Sequence, residues 1–196
     1  MHIGFYGDSF CSEKYNYHSK FHKYKTYIQM LEESLDADIV NLGIGGSSYY
    51  DLILHQFVKP YPDICIFTWT DPNRLYHPTI RNLTPGSFGF FARLDEGSFF
   101  SPVYKAAKMY YKHLHSDDKA KLECSALLEY FDNRILKDVD SKIIHLWCFE
   151  KTYDFKNGTT VDIILNEHAT PHNNGANHFG DQNSNRIIFE AISKCL

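Results

Sequence analysis

The sequence predicts an α/β domain of three layers, a parallel sheet between two layers of helices. Three observations carry this: short apolar runs alternate with segments of helical period, the first two runs end in glycine-bearing turns, and 196 residues pass without a repeat or a low-complexity linker. A chain of this length can bury a substantial core as one domain, 1–196. In chain order we expect a strand over 2–6, a helix over about 21–35, a strand over 38–42, a helix over 48–57 and a strand over 63–68. Helices over Pro102–His115 and Asp117–Lys137 follow, the second with Ser116 as N-cap, two acids in its first turn, and Leu122, Ala126, Leu127, Tyr130, Phe131 and Ile135 at helical spacing. Ser141–Cys148 predicts a fourth parallel strand, and Asn183–Lys194 a closing helix.

The stretch from Leu75 to Ser101 has neither period. It carries Pro78, Pro85, Gly86, Gly89 and Gly97 with five phenylalanines, among them Phe90 and Phe91. An irregular insertion this long is a lid, a binding element or a surface loop whose aromatics form a local cluster. It leaves the third strand beside Thr70, so as a lid it would cover that strand end.

Composition narrows the partners. A formal charge of −4 and a pI near 6.2, with Lys and Arg scattered, give no electrostatic footprint for nucleic acid. No run of about eighteen apolar residues spans a bilayer, and no basic, apolar, small-residue leader opens the chain, so neither a membrane nor a cleaved signal is expected. Cys11, Cys65, Cys124, Cys148 and Cys195 are odd in number, widely spaced and without a Cys-x-x-Cys, which suits reduced thiols in a cytoplasmic compartment.

Gly7-Asp8-Ser9-Phe10 follows the first apolar run directly. The C-terminal edge of an open α/β sheet is where ligands bind, and the glycine allows the sharp turn that exposes the serine hydroxyl and its N–H. Ser9 is therefore a candidate nucleophile. Gly-Asp-Ser is also ordinary turn chemistry, with Asp8 as the cap. The second strand ends in Asn41-Leu42-Gly43-Ile44-Gly45-Gly46, the third runs into Thr68-Trp69-Thr70-Asp71-Pro72-Asn73-Arg74, and Asn177-His178-Phe179-Gly180 precedes the last helix.

With these four blocks in this order the chain resembles the SGNH, or GDSL, hydrolase superfamily, over nearly its whole length but on about a dozen residues of motif. The phrase Trp69-Thr70 followed by Arg74 is similar to divergent members from bacteriophage genomes. The resemblance implies a flavodoxin-like fold and hydrolysis of small acyl esters, such as carbohydrate O-acetyl groups, without a cofactor. It gives Ser9 as nucleophile and His178 as general base, with the Ser9 and Gly46 N–H groups in the oxyanion hole. Thr70 falls where the family's asparagine donates to the oxyanion, and Asn73, three residues on, is the second candidate. A viral member would work in the host cytoplasm or on a virion.

Two departures from the pattern matter. One is Thr70 itself. The other is Gly175, which stands where the family carries the aspartate that orients the histidine; Asn174, Glu167, Asp181 or a backbone carbonyl are the substitutes. A catalytically weak or inactive binding or virion-associated module is accordingly the alternative reading. Arg74 either pairs with Asp71 or holds an anionic substrate group, and His172 and His168 are loop residues near the base. Three histidines within 168–178 invite a zinc reading, but no cysteine pair or carboxylate set accompanies them, so no metal is expected. His145, inside the fourth apolar run, reads as a core histidine, and His113 and His115 as solvent-facing. A nucleotide site is disfavoured because Gly43-Ile44-Gly45-Gly46 lacks the Gly-x-Gly-x-x-Gly spacing.

Overall fold

A computed structural model of the chain describes residues 1–12, 24–81, 83–84, 101–171, 177–179 and 181–196, with the backbone alone at Ser101, Thr170, Pro171, Asn177 and His178. Five strands, β1 (His2–Gly7), β2 (Asp38–Asn41), β3 (Ile64–Trp69), β4 (Lys142–Trp147) and β5 (Thr159–Ile164), form one parallel sheet in the order β2-β1-β3-β4-β5. That is the flavodoxin-like order of a doubly wound sheet. β5 was not expected from the sequence: it is an edge strand, with Thr159 and Asp162 exposed and only Val161 buried. A two-stranded antiparallel ladder, β6 (Thr170–Pro171) with β7 (Asn177–His178), pairs Thr170 with His178.

β3 is buried along its whole length because both faces are covered. Ile64 and Ile66 on β3, with Ile144 and Leu146 on β4, face Ile28 and Leu31 of helix α1 (Tyr27–Leu35) and Ile188 and Ile192 of the closing helix. Cys65, Phe67, Trp69, Ile143 and Trp147 alternate onto the other face, against Leu52, Cys124, Leu128 and Phe131. The period of two in these strands thus divides one apolar run between two helical layers. Phe67 lies at the centre of the second face, with Tyr6, Phe57, Trp69, Phe131 and His145 as ring neighbours.

Local chemistry sets the helix limits. α1 begins where Thr26 and Gln29 close a reciprocal capping box, six residues after the expected start; residues 21–23 of that expectation lie outside the described residues. The expected 48–57 helix is a single α-turn, α2 (Tyr49–Asp51), capped by Ser48 and running into a π-helical segment, Leu52–Gln56. Helices α3 (Ser101–His113) and α4 (Asp117–Arg134) lie as expected, with Ser116 capping α4, although Leu136–Asp138 is a separate 3-10 turn. α5 (Gln182–Ser193) closes the chain. No helix among the described residues is long and apolar enough to cross a membrane.

Part of the stretch expected to be irregular is tied down. The Leu75 N–H donates to Leu83 O at 3.0 Å, and Ile80 and Leu83 pack on Ala107 of α3 in a small third cluster. The Tyr111 hydroxyl of α3 lies between the carbonyls of Leu83, at 2.8 Å, and Asn73, which share its one proton. Phe90 and Phe91 lie outside the described residues.

His145 is the core histidine its sequence context implied. The Trp69 indole donates to its Nδ1 at 3.1 Å, which leaves the proton on Nε2, 2.9 Å from Asn157 O. Burial pulls its pKa down to about 4, against weaker raising contributions from the Asn157 contact and Asp132. An unfolded chain takes up that proton below about 6.5, so stability should fall as pH drops from about 6.5 to 4 and gain no further loss from this group below that. The difference is worth about 3 kcal/mol. Urea midpoints between pH 7 and 4.5 should therefore fall less steeply for His145→Gln than for the wild type; parallel curves would remove His145 as the cause.

Candidate active site

The C-terminal ends of β1, β2 and β3 meet at one edge, and the turn that leaves β1 carries Ser9. Gly7 opens the turn at φ 152°, and a Cβ there would collide with Thr68 Oγ1 and lie 2.5 Å from Thr68 O. A side chain is thereby excluded at the point where the chain must leave the sheet. The Asp8 carbonyl then accepts the Cys11 and Ser12 N–H groups at 3.3 and 3.0 Å, while its carboxylate accepts the Phe10 N–H at 2.9 Å. Ser9 sits in the middle, partly exposed, and no hydrogen bond among the described residues engages it.

Asp8 does more than cap. It is fully buried, and its oxygens also receive Arg74 Nη1 at 2.9 Å, Thr70 Oγ1 at 2.9 Å and the Cys148 thiol at 3.6 Å. With the Phe10 N–H these four donors fill the acceptor capacity of a carboxylate. Asp8 has no lone pair left for a histidine.

Two sequence expectations change here. Thr70 holds a single hydroxyl proton and directs it at Asp8, so it cannot also donate to an oxyanion. Arg74 pairs with Asp8 instead of Asp71, and Nη1 also reaches Ser47 O at 2.9 Å. Asp71 instead shapes its own turn, accepting the Asn73 N–H on Oδ1 at 2.8 Å and the Arg74 N–H on its carbonyl at 3.2 Å. Asn73 lies in that turn with a buried Oδ1 that has no partner among the described residues.

The β2 turn is held against β1 from below. The Ile44 N–H donates to Gly7 O at 3.0 Å, and Gly46 follows in a left-handed conformation with φ 77°. Gln56, buried in the π-helical segment, grips Gly7 with both amide groups, Gly7 N–H to Oε1 at 2.6 Å and Nε2 to Gly7 O at 2.9 Å, and donates to Ser47 Oγ at 3.1 Å. Asn41 joins the two turns as well, donating to Cys11 O at 2.6 Å and accepting from Gly43 N–H at 3.0 Å. Sequence reading missed both residues. A glutamine in an amphipathic stretch and an asparagine at a strand end carry no mark of a partner up to 49 residues away.

His178 stands in β7, just before the closing helix, and its backbone is all that is described. The residues following the two candidates meet: the rings of Phe10 and Phe179 are 5.4 Å apart, and both are buried. Tyr27 completes the junction, donating its hydroxyl to Phe10 O at 3.0 Å and its N–H to Asn185 Oδ1 at 2.9 Å, while Asn185 Nδ2 donates to Phe179 O at 3.2 Å. Helix α5 thus delivers the His178 segment to the Ser9 turn.

Among the substitutes for the missing aspartate, Asp181 is committed elsewhere. Its two oxygens take the Ser184 N–H and hydroxyl, each at 2.8 Å, as the α5 N-cap, and the Ser184 N–H in particular holds its carboxyl below the usual range. Glu167 is exposed. His172, Asn174 and Gly175 lie outside the described residues. Cys11 and Cys148 flank Asp8, but burial raises both thiols, so neither is a thiolate competing with Ser9. Among the described residues no cluster of His, Cys, Asp or Glu could hold a metal ion.

No protein-family model and no curated protein matches the chain. Solved structures with some likeness include a protein described as a GDSL-like lipase from Parabacteroides merdae ATCC 43184, at 17% identity and a TM-score of 0.36 over 76% of this chain. The chain spans 59% of that protein's length. An acetyl xylan esterase, AlAXEase, is similar at 14% identity and a TM-score of 0.36 over 100% of this chain and 72% of its own.

Proposed function

We propose that this chain is a serine ester hydrolase working through an acyl-enzyme, with Ser9 as nucleophile and His178 as general base. The observation that carries the reading is the Phe10–Phe179 contact, which joins the residue after each candidate at the ligand-binding edge of the sheet. In the first step His178 takes the Ser9 proton as Oγ attacks the acyl carbon. The oxyanion so formed accepts from the N–H groups of Ser9 and Gly46 and from the Asn73 amide, which takes the place Thr70 vacates. The C–O bond to the leaving alcohol then breaks as His178 returns the proton, and water repeats the sequence on the acyl-serine.

The substrate proposed is a small acyl ester, including O-acetyl groups on glycans, with Phe90, Phe91 and His172 as acyl-side or rim contacts. Gly175 in place of an acid predicts slow turnover, since loss of that acid costs on the order of 10⁴ in well-studied triads. The commitment of Thr70 to Asp8 favours a second reading, a binding or virion-associated module that keeps the fold without the chemistry. Hydrolysis of p-nitrophenyl acetate and of an O-acetylated oligosaccharide separates the two. Hydrolysis that falls by on the order of 10² or more in Ser9→Ala supports the enzyme; no hydrolysis, or hydrolysis indifferent to Ser9→Ala, supports the module.

A further inference from the structure

We propose that Arg74 is a positioning residue that locks the Ser9 turn and the Gly46 turn into one fixed arrangement. The role rests on the ester-hydrolase reading of Ser9. Arg74 leaves the end of β3, yet its Nη1 lies 2.9 Å from Asp8 Oδ2 and 2.9 Å from Ser47 O, the residues adjoining Ser9 and Gly46. The other Asp8 oxygen fixes the Phe10 N–H on the far side of Ser9. One guanidinium is therefore a single hydrogen bond from each of the two turns that would have to converge on the same oxyanion.

The surroundings explain why an arginine is needed. Its side chain is 10% exposed, and the Phe149 ring, just beyond β4, lies 5.8 Å from the guanidinium carbon. Both contacts leave from the same Nη1, at the end of a long arm whose flat, always-charged head lies against a ring, which a shorter, more strongly hydrated lysine ammonium does not reproduce. The charge is balanced by buried Asp8, so a substrate anion meets no free cation at this position. That geometry favours a tie between turns over the anion-binding role considered for Arg74 from the sequence. Misplacement of catalytic groups by about 1 Å costs on the order of 10²-fold in rate, which is the scale on which such a tie acts.

The test compares Arg74→Ala, Arg74→Lys and the double variant Asp8→Asn/Arg74→Gln, the last removing both charges so that no carboxylate is left buried alone. Peptide-resolved amide hydrogen exchange is read over 8–12 and 44–48, with β4 as internal reference, beside the rate of fluorophosphonate modification and kcat and KM on p-nitrophenyl acetate. Exchange should rise about tenfold in both turns together while β4 stays at the wild-type level. Modification and kcat should fall by on the order of 10²-fold with KM little changed, and Arg74→Lys should recover only part. Faster exchange in one turn alone or in neither, or a raised KM at unchanged kcat, overturns the proposal. If the wild type is not modified at all the hydrolase reading fails, and the exchange result still decides whether Arg74 couples the turns.

Discussion

Gly7→Ala should destabilise the protein by about 3–5 kcal/mol, the sum of backbone strain and overpacking. At φ 152° an L-residue is strained, and here the added methyl also meets Thr68, with the carbonyl oxygen 2.5 Å from the new Cβ. Neither obstacle is a flexible side-chain end that swings aside: Thr68 is itself buried in β3, paired in register with Gly7. Relief requires β1 and β3 to separate at the edge where the Ser9 turn begins, so fluorophosphonate reactivity should fall with stability. Urea denaturation of the two proteins measures the first effect. A variant within about 1 kcal/mol of wild type, as an ordinary surface change would be, contradicts the geometry assigned to this turn.

Asp8→Ala should be of similar severity, about 3–5 kcal/mol, because removing one member of a buried pair strands the other. Arg74 would lose its counterion, and Thr70 Oγ1 and the Phe10 N–H their acceptor. Asp8→Asn keeps one acceptor oxygen in the same place and should fall between the wild type and the alanine variant. An alanine variant within about 1 kcal/mol of the wild type would mean that the carboxylate is not holding the turn.

The contrast between Asp8 and Ser9 shows what was legible in the chain. β1, β3 and β4 were readable because strands covered on both faces are written as apolar runs, and the order of glycine turns placed Ser9 and Gly46 at one edge. β5 was hidden because an edge strand with Asp162 exposed lacks that run. The 48–57 segment read as an α-helix, yet a π-turn shifts its face and brings Gln56 inward onto Gly7. Asp8 read as a turn cap, which it is, but its partners Thr70 and Arg74 come from a strand end more than 60 residues away, and no local pattern announces a pairing over that separation. Of the two roles the sequence offers Arg74, the pairing with Asp71 fails for the same reason: Asp71 is close in sequence, while Asp8 is close in space.

Whether Ser9 is a live nucleophile at this edge is tested most directly by covalent labelling with a fluorophosphonate followed by peptide mapping. One adduct should form, on the peptide containing Ser9, absent from Ser9→Ala and formed more slowly by His178→Ala. An unlabelled wild-type protein, or an adduct that persists in Ser9→Ala, would contradict a nucleophilic Ser9.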